Sequence, residues 1–423
     1  MKTEQETFLD GTPIDSWFNE IEMPSLECLG KKYNILDYDI KNDGKIYTRE
    51  FQALIDLISS SGGGVLYIPK GKYKTSALFF KNGVHIFLEE GSTLLANDDI
   101  NEYPLMETRI EGETCLYYPA LINVDNVDSF YLLGKGIIDG NGLKFWKEFW
   151  ELRKNKPDYT NKEVHRYRLL YISNSKNILI SGITLQNSPF WTSHIYKSEK
   201  IKYIGCNFYS PKEPVPAPST DAIDIDACKD VLISNCYFEV NDDAIALKGG
   251  KGSYADEDKN NGSNERIIVE NSIYGFCHSA LTLGSESIHN RNVILRNIEL
   301  NDIWQLIHFK LRPDTPQLYE YIKVSGVKGN ITGSFININP WTQFFDLKGR
   351  KDKPISIVDN VLIENASCSC DVFFNVKNDL NYDLTNFSLN NLSIMANNKG
   401  SEFNIINNIK INNVFVEGKD ERN

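Results

Sequence analysis

Short runs of alternating apolar residues, each opened by a polar residue and followed by Asn or Gly, recur along most of the chain. They lie at Asn177-Ile178-Leu179-Ile180, Asp230-Val231-Leu232-Ile233, Arg266-Ile267-Ile268-Val269, Asn292-Val293-Ile294-Leu295, Tyr321-Ile322-Lys323-Val324, Asn360-Val361-Leu362-Ile363 and Asn386-Phe387-Ser388-Leu389. Val231 and Ile267 are 36 residues apart, Ile267 and Val293 are 26 apart, and so are Val361 and Phe387. Four-residue strands at such spacing, with Asn/Gly corners and almost no helical pattern between them, predict a solenoid whose coils stack on one another. A β-sandwich would show tight hairpin signals such as Asn-Gly between strand pairs, and these are scarce. One helix is predicted over Thr48–Ser59, where Phe51, Leu54, Ile55 and Ile58 form an i, i+3, i+4, i+7 stripe. Ser60-Ser61-Gly62-Gly63-Gly64 ends it and the strand Val65–Ile68 follows. A helix there suits a cap over the exposed end of a stack. The expected architecture is therefore all-β: a single-stranded right-handed parallel β-helix with a short N-terminal capping helix. The expected division is an extension over 1–36 and the β-helix over 37–418. Two insertions, 143–164 and 249–264, are expected as loops beside a groove.

The 423 residues carry 45 Lys and Arg against 57 Asp and Glu, a net charge of −12 with the two signs interspersed. No basic stripe offers a nucleic-acid footprint. No apolar run approaches the ~18 residues of a membrane span. The opening residues Met1–Gln5 lack the apolar core of a signal peptide, so the compartment is not legible. It is periplasmic or extracellular if a signal has been removed and cytoplasmic otherwise. None of the eight cysteines forms a C-x-x-C pair, so scattered buried thiols are expected. The spacings leave a Cys28–Cys115 disulfide open.

Four polar clusters stand beside short apolar strands: Ser219-Thr220-Asp221, Asn241-Asp242-Asp243, Cys277-His278-Ser279 and His308-Phe309-Lys310. Asp221 and Asp243 are 22 residues apart, about one coil. Strands stacked in register lie ~4.8 Å apart, so the four clusters would form a stripe of roughly 14 Å, enough for two or three sugar rings. With Phe309 and Leu311 inward, His308, Lys310 and Arg312 face outward. Asp221 and Asp243 share the parity of inward Ile223 and Ile245, so they must sit at the corner before the strand. Three carboxyls this close cannot all ionise, and at least one is driven to keep its proton. A protonated acid beside an ionised one is what glycosidic cleavage requires.

The four clusters, in this order, resemble the motifs Asn-Thr-Asp, Asp-Asp, Gly-His-Gly and Arg-Ile-Lys of glycoside hydrolase family 28, the polygalacturonases and rhamnogalacturonan hydrolases. The resemblance extends to Gly62–Pro69 and to Asn187-Ser188-Pro189-Phe190-Trp191. It implies an inverting hydrolase of pectin that uses no cofactor and no metal. Asp242 would be the general acid, Asp221 and Asp243 the pair activating water, His278 the residue orienting the acid, and Lys310 a ligand of a sugar carboxylate. An inverting pair would stand ~6.5–9.5 Å apart. Ser219 stands where the family has Asn, Cys277 and Ser279 where it has Gly, and His308 where it has the galacturonate-clamping Arg. Imidazole does not reproduce a bidentate guanidinium, though Arg312 lies on the same face. These departures favour a branched pectin such as rhamnogalacturonan, or exo action on oligosaccharides. The expected partner is a pectic polysaccharide or oligosaccharide, with the enzyme a monomer. Two rivals remain: a calcium-dependent pectate-lyase-like enzyme whose aspartates hold the ion, and a non-catalytic glycan-binding β-helix. Trp146 and Trp150 are read as an aromatic wall or as simple packing, and Trp191, Trp304 and Trp341 equally as core or sugar-stacking. His85, His165, His194 and His289 are read as structural.

Overall fold

The computed structural model describes residues 5–343, 345–377 and 381–418. Its strands join in one large sheet system in which every pairing is parallel, and a separate antiparallel hairpin, Met106–Ile110 with Glu113–Tyr117, lies outside it. The chain is a right-handed parallel β-helix. The predicted repeats stack in strict register. Ile178 pairs with Ile201, then Val231, Ile267, Val293, Ile322, Val361 and Phe387, one residue per coil. All of these are buried and form a continuous apolar ladder inside the coil, aliphatic up to Phe387.

The polar residue that opens each repeat has a conformational task. Asn177, Asp230, Arg266, Asn292, Tyr321, Asn360 and Asn386 all have φ between 53° and 58°. Asn tolerates this left-handed conformation better than most L-residues. A second line of left-handed Asn bonds from coil to coil: Asn413 donates to Asn391 (2.9 Å) and Asn391 to Asn365 (3.3 Å). Beside them, Asp128, Lys176, Glu199, Lys229, Glu265, Arg291 and Glu320 follow one another in register with alternating sign. A slip of one coil would set like charges opposite each other, which disfavours it.

The capping helix α1, Thr48–Ser60, buries Phe51, Leu54, Ile55 and Ile58 as predicted. It also completes the open edge. Gln52 donates to the carbonyl of Phe79 and accepts from its N–H, both at 2.9 Å. A sheet edge that would otherwise be bare is thereby satisfied.

The extension does not lie apart from the stack. Phe8, Ile14 and Phe18 pack on an outward-facing patch, the row Leu232, Ile268 and Ile294 with Ile204 beside it. Asp10 accepts from Arg291 and Asn292, both at 2.9 Å. Residues Lys32–Asn34 already pair with the strand Gly64–Ile68. The insertion at 143–164 is not a loop throughout. Residues Leu143–Asn155 form a second helix, α2, burying Phe145, Trp146 and Phe149. The aromatic spacing 145, 149 is helical, and the surrounding charge concealed it. Trp146 donates to Ser188 O (2.9 Å) and Trp150 to Pro216 O (2.7 Å), so both indoles anchor α2 to the stack. All eight cysteines are free, and Cys206, Cys228, Cys236, Cys277, Cys368 and Cys370 are buried.

Candidate active site

The strands Ile223–Asp226, Ile245–Lys248, Ser279–Leu283 and the segment Gln305–Leu311 are successive rungs of one face. Stepping back from Ile223↔Ile245 sets Asp221 against Asp243, and both precede their strands, at the expected corner. Stepping back from Leu247↔Leu283 sets Asp242 against His278, whose N–H donates to the Asp242 carbonyl at 2.8 Å. The predicted single stripe is therefore two staggered lines. Lys310 belongs to the line of Lys248 and Gly284, five residues further along the strand than Asp243, and its long side chain reaches back.

Three aspartates converge: Asp221, Asp242 and Asp243 each offer an oxygen within 4.8 Å of the others. The wide acid–base gap expected for inversion is thus not seen between their nearest oxygens. Access to cations decides their characters. Burial and the charge of Asp242 push Asp221 up to about 8, against the pull of Lys248, whose ammonium is 4.0 Å away. Burial also opposes charge on Asp243, but Lys310 overrides it, with its ammonium 2.7 Å from Asp243 Oδ2, and holds that carboxyl far below the ordinary range. One member of the cluster is thus protonated and one ionised, through unequal access to cations. Asp242 is the member open to the groove. It accepts from the Asp243 N–H at 3.0 Å and stands 3.3 Å from His278 Nδ1. Burial works against a charge on His278, yet Asp242 outweighs it and raises the imidazole's pKa.

The groove holding this cluster has a volume of about 850 Å³. One side is built by Phe149, Arg153, Pro157, Asp158, Tyr159 and Asn161 from α2 and the segment after it, and Glu111 closes in from the hairpin tip. Glu111 accepts from Asn161 Nδ2 at 2.7 Å. A Cβ on Gly112 would stand 2.9 Å from Glu286 Cβ, so the tip is wedged against the coil wall. The hairpin is tied down by a buried polar cluster. Arg168 donates to Thr108 Oγ1 (2.7 Å) and to the Arg109 carbonyl (2.9 Å), and Arg109 donates to Asp226 (3.1 Å). His194 sits between Arg168 (2.7 Å) and Asp226 (3.3 Å), held neutral by burial, its pKa lowered to about 4. It is structural, as expected.

Residues 66–307 match the family model described as glycosyl hydrolases family 28. The chain belongs to glycosyl hydrolase family 28. It is 31% identical over 244 residues to a probable polygalacturonase of Vitis vinifera, covering 55% of this chain and 48% of that one. It is 24% identical over 343 residues to an exo-poly-alpha-D-galacturonosidase of Dickeya chrysanthemi, covering 70% and 55%. It thus spans about half the length of these curated relatives. Among solved structures, a hyperthermoactive exopolygalacturonase from Thermotoga maritima superposes with a TM-score of 0.65 at 19% identity, over 94% of this chain and 95% of that one. A family 28 exopolygalacturonase from Yersinia enterocolitica gives 0.66 at 18%, over 92% and 79%. At that identity the likeness establishes the fold.

Within the family 28 groove, the remaining predicted residues take different places. Ser219 lines it with φ 55°, the left-handed conformation that Asn, the family residue, adopts readily. His308 lines it too, buried and bonded through Nε2 to Asn339 Oδ1 at 2.7 Å. Burial and then Lys310 lower its pKa to about 4, so it is a neutral imidazole and not a substitute cation. Arg312 is turned away from the groove: its guanidinium is buried in a bidentate pair with Asp314, 2.8 Å on each arm. It does not stand in for the missing Arg.

Lys248 and Glu286 were not picked out from sequence. Lys248 Nζ lies 3.1 Å from Glu286, 3.7 Å from Asp224 and 4.0 Å from Asp221. A lysine ending the buried strand Ile245-Ala246-Leu247, directly after Asp242-Asp243, was the available signal. Glu286 lies past the apolar strand and carried none. The three aspartates are the one group of metal-ligand type among the described residues. They do not suit calcium, which needs six to eight oxygens at about 2.3–2.6 Å. The ammonium of Lys310 already stands on Asp243, and that of Lys248 faces Asp221. The position a cation would take is filled by the protein's own.

Proposed function

We propose that this chain hydrolyses glycosidic bonds of galacturonic-acid-containing pectin, with its catalytic machinery in the stacked region 37–418. The observation that carries the reading is the carboxyl cluster with divided protonation in a sugar-sized groove: Asp221 pushed to about 8, Asp243 held ionised by Lys310, and Asp242 facing the opening. The carboxyl that reaches the leaving oxygen acts as the general acid. That carboxyl is Asp242, the most accessible of the three. His278 holds it in place and stabilises its charge once the proton has left. Asp243 is the base that takes a proton from the attacking water, and Asp221 holds a hydrogen bond beside it. Attack from the face opposite the leaving group inverts the anomeric carbon.

The closed side of the groove, with the hairpin tip wedged at Glu286, supports action on chain ends or short oligomers over action in mid-polymer. The names of the Dickeya, Thermotoga and Yersinia proteins agree with that direction. A neutral His308 supports a substrate whose carboxylate is not clamped at that point, such as one with a neutral sugar in alternation.

The test is a substrate panel of homogalacturonan, rhamnogalacturonan and their oligomers, with product analysis and NMR of the first anomer released. Hydrolysis with inversion, lost by several orders of magnitude in Asp242→Asn, is expected. Unsaturated uronate products abolished by a chelator would replace the reading with a calcium lyase. Tight glycan binding unaltered by Asp242→Asn, with no turnover, would replace it with a binding module.

A further inference from the structure

Among the groove's described aromatic side chains, Trp304 is 49% exposed, Trp341 is half-buried and Trp191 is 4% exposed. A single exposed apolar residue needs no explanation by itself. Its setting does. The backbone around it is irregular: Ile303 pairs with Ile331 and Gln305 with Ser334, so two residues, Thr332 and Gly333, stand opposite the one residue Trp304. A bulge of this kind re-aims a side chain beside a site. The extra residue makes the seat. A Cβ on Gly333 would lie 2.2 Å from Trp304 Cδ1 and 2.5 Å from Nε1, so the indole rests on bare backbone that only glycine permits. The other flank is fixed by His278, edge to face at 5.6 Å and 84°. His278 is in turn 3.3 Å from Asp242. The indole is thus a rigid platform, exposed on the line that runs from Asp242 through His278 towards the later coils.

We infer that Trp304 is the stacking platform for a pyranose ring of the substrate on the side of the scissile bond facing the later coils. The inference rests on the pectic reading above and adds a specificity-determining residue to it. The ligand class follows from the surface. An exposed indole face takes up the apolar C–H face of a sugar ring, and a side chain already held by its neighbours loses little freedom on binding. The same geometry places the ring two coils, ~10 Å, from the Asp242 position, so substrates too short to reach it gain nothing. The Asp242–His278–Trp304 contact also couples the platform to the acid: a ring seated on Trp304 fixes the wall that holds His278.

The experiment uses the Asp242→Asn protein, which binds without turning over, titrated calorimetrically with di-, tri- and tetragalacturonate and with the corresponding rhamnogalacturonan oligomers. Adding Trp304→Ala is expected to weaken binding of the longest bound oligomer about tenfold, the scale of one aromatic contact, and that of the shortest by less than about twofold. Trp304→Phe should restore most of the loss. In the Asp242 enzyme, Trp304→Ala should raise KM more for long substrates than for the shortest. Equal affinities for every length with and without Trp304 would overturn the platform and leave the pectic reading standing. Absence of binding by any of these oligomers while Trp304 is intact would instead overturn the pectic reading, and with it the ligand assigned to Trp304.

Discussion

Replacing Lys310 by Met tests the electrostatic core of the proposed mechanism. The side chain volume is kept and the ammonium is removed from a carboxylate 2.7 Å away, both groups being largely shielded from water. At that distance, with an effective dielectric constant near 20, the attraction is about 6 kcal/mol. Part of it offsets the cost of burying the two charges, and removing one partner of such a pair typically costs about 3–5 kcal/mol. Asp243 in the variant has one escape, which is to take up a proton. The sign follows from linkage. In the parent, Asp243 is depressed and contributes stability above the ordinary carboxyl pKa, a contribution lost only as pH falls through its low folded value. In the variant its pKa is raised by burial and by Asp221 and Asp242, so the folded state is relieved as pH falls. The stability difference is therefore largest at high pH, about 3 kcal/mol near pH 8, and shrinks towards pH 5. Urea unfolding of both proteins at the two pH values, followed by fluorescence, measures it. Hydrolysis should fall in parallel, because the base is now protonated near neutrality. Equal urea midpoints at both pH values would refute the claim that Lys310 sets the charge of Asp243.

Other outcomes follow from the same geometry. With Asp221 at about 8, the folded chain keeps a proton that the unfolded chain releases near the ordinary carboxyl value, so this group makes stability fall as pH rises from about 4 to about 8. Asp221→Asn should flatten that slope in urea titrations. His278→Gln should lower kcat about 10²-fold with little change in the melting temperature, and should shift the alkaline limb of the pH–rate profile, because the charge that Asp242 favours on the ring is gone. Phe18→Ala removes a buried ring from the patch of Ile204, Leu232, Ile268 and Ile294, and should cost about 3 kcal/mol in urea unfolding while leaving KM unchanged.

The sequence by itself determined the coil. Period-two apolar runs opened by Asn leave few alternatives, because such strands cannot bury both faces except by stacking, and the left-handed corner at Asn177, Asn292, Asn360 and Asn386 is local chemistry. It also picked out the candidate carboxyl cluster, since Asp221 and Asp242-Asp243, one coil apart, must meet if the coils are in register. Tertiary structure decided what each of those groups is. Lys310 and Lys248 come from the line beside the aspartates, and only the register shows that one reaches Asp243 and the other Asp221 and Glu286. Arg312 faces the groove's side by strand parity, yet a local partner, Asp314, captures it. The closed side of the groove, from the helix at 143–155 to the wedged tip at Glu111-Gly112, depends on insertions that follow no repeat. Parity and period specify which face a residue takes. Charge pairing at a distance specifies what it does there, and that is not a property of spacing along the chain.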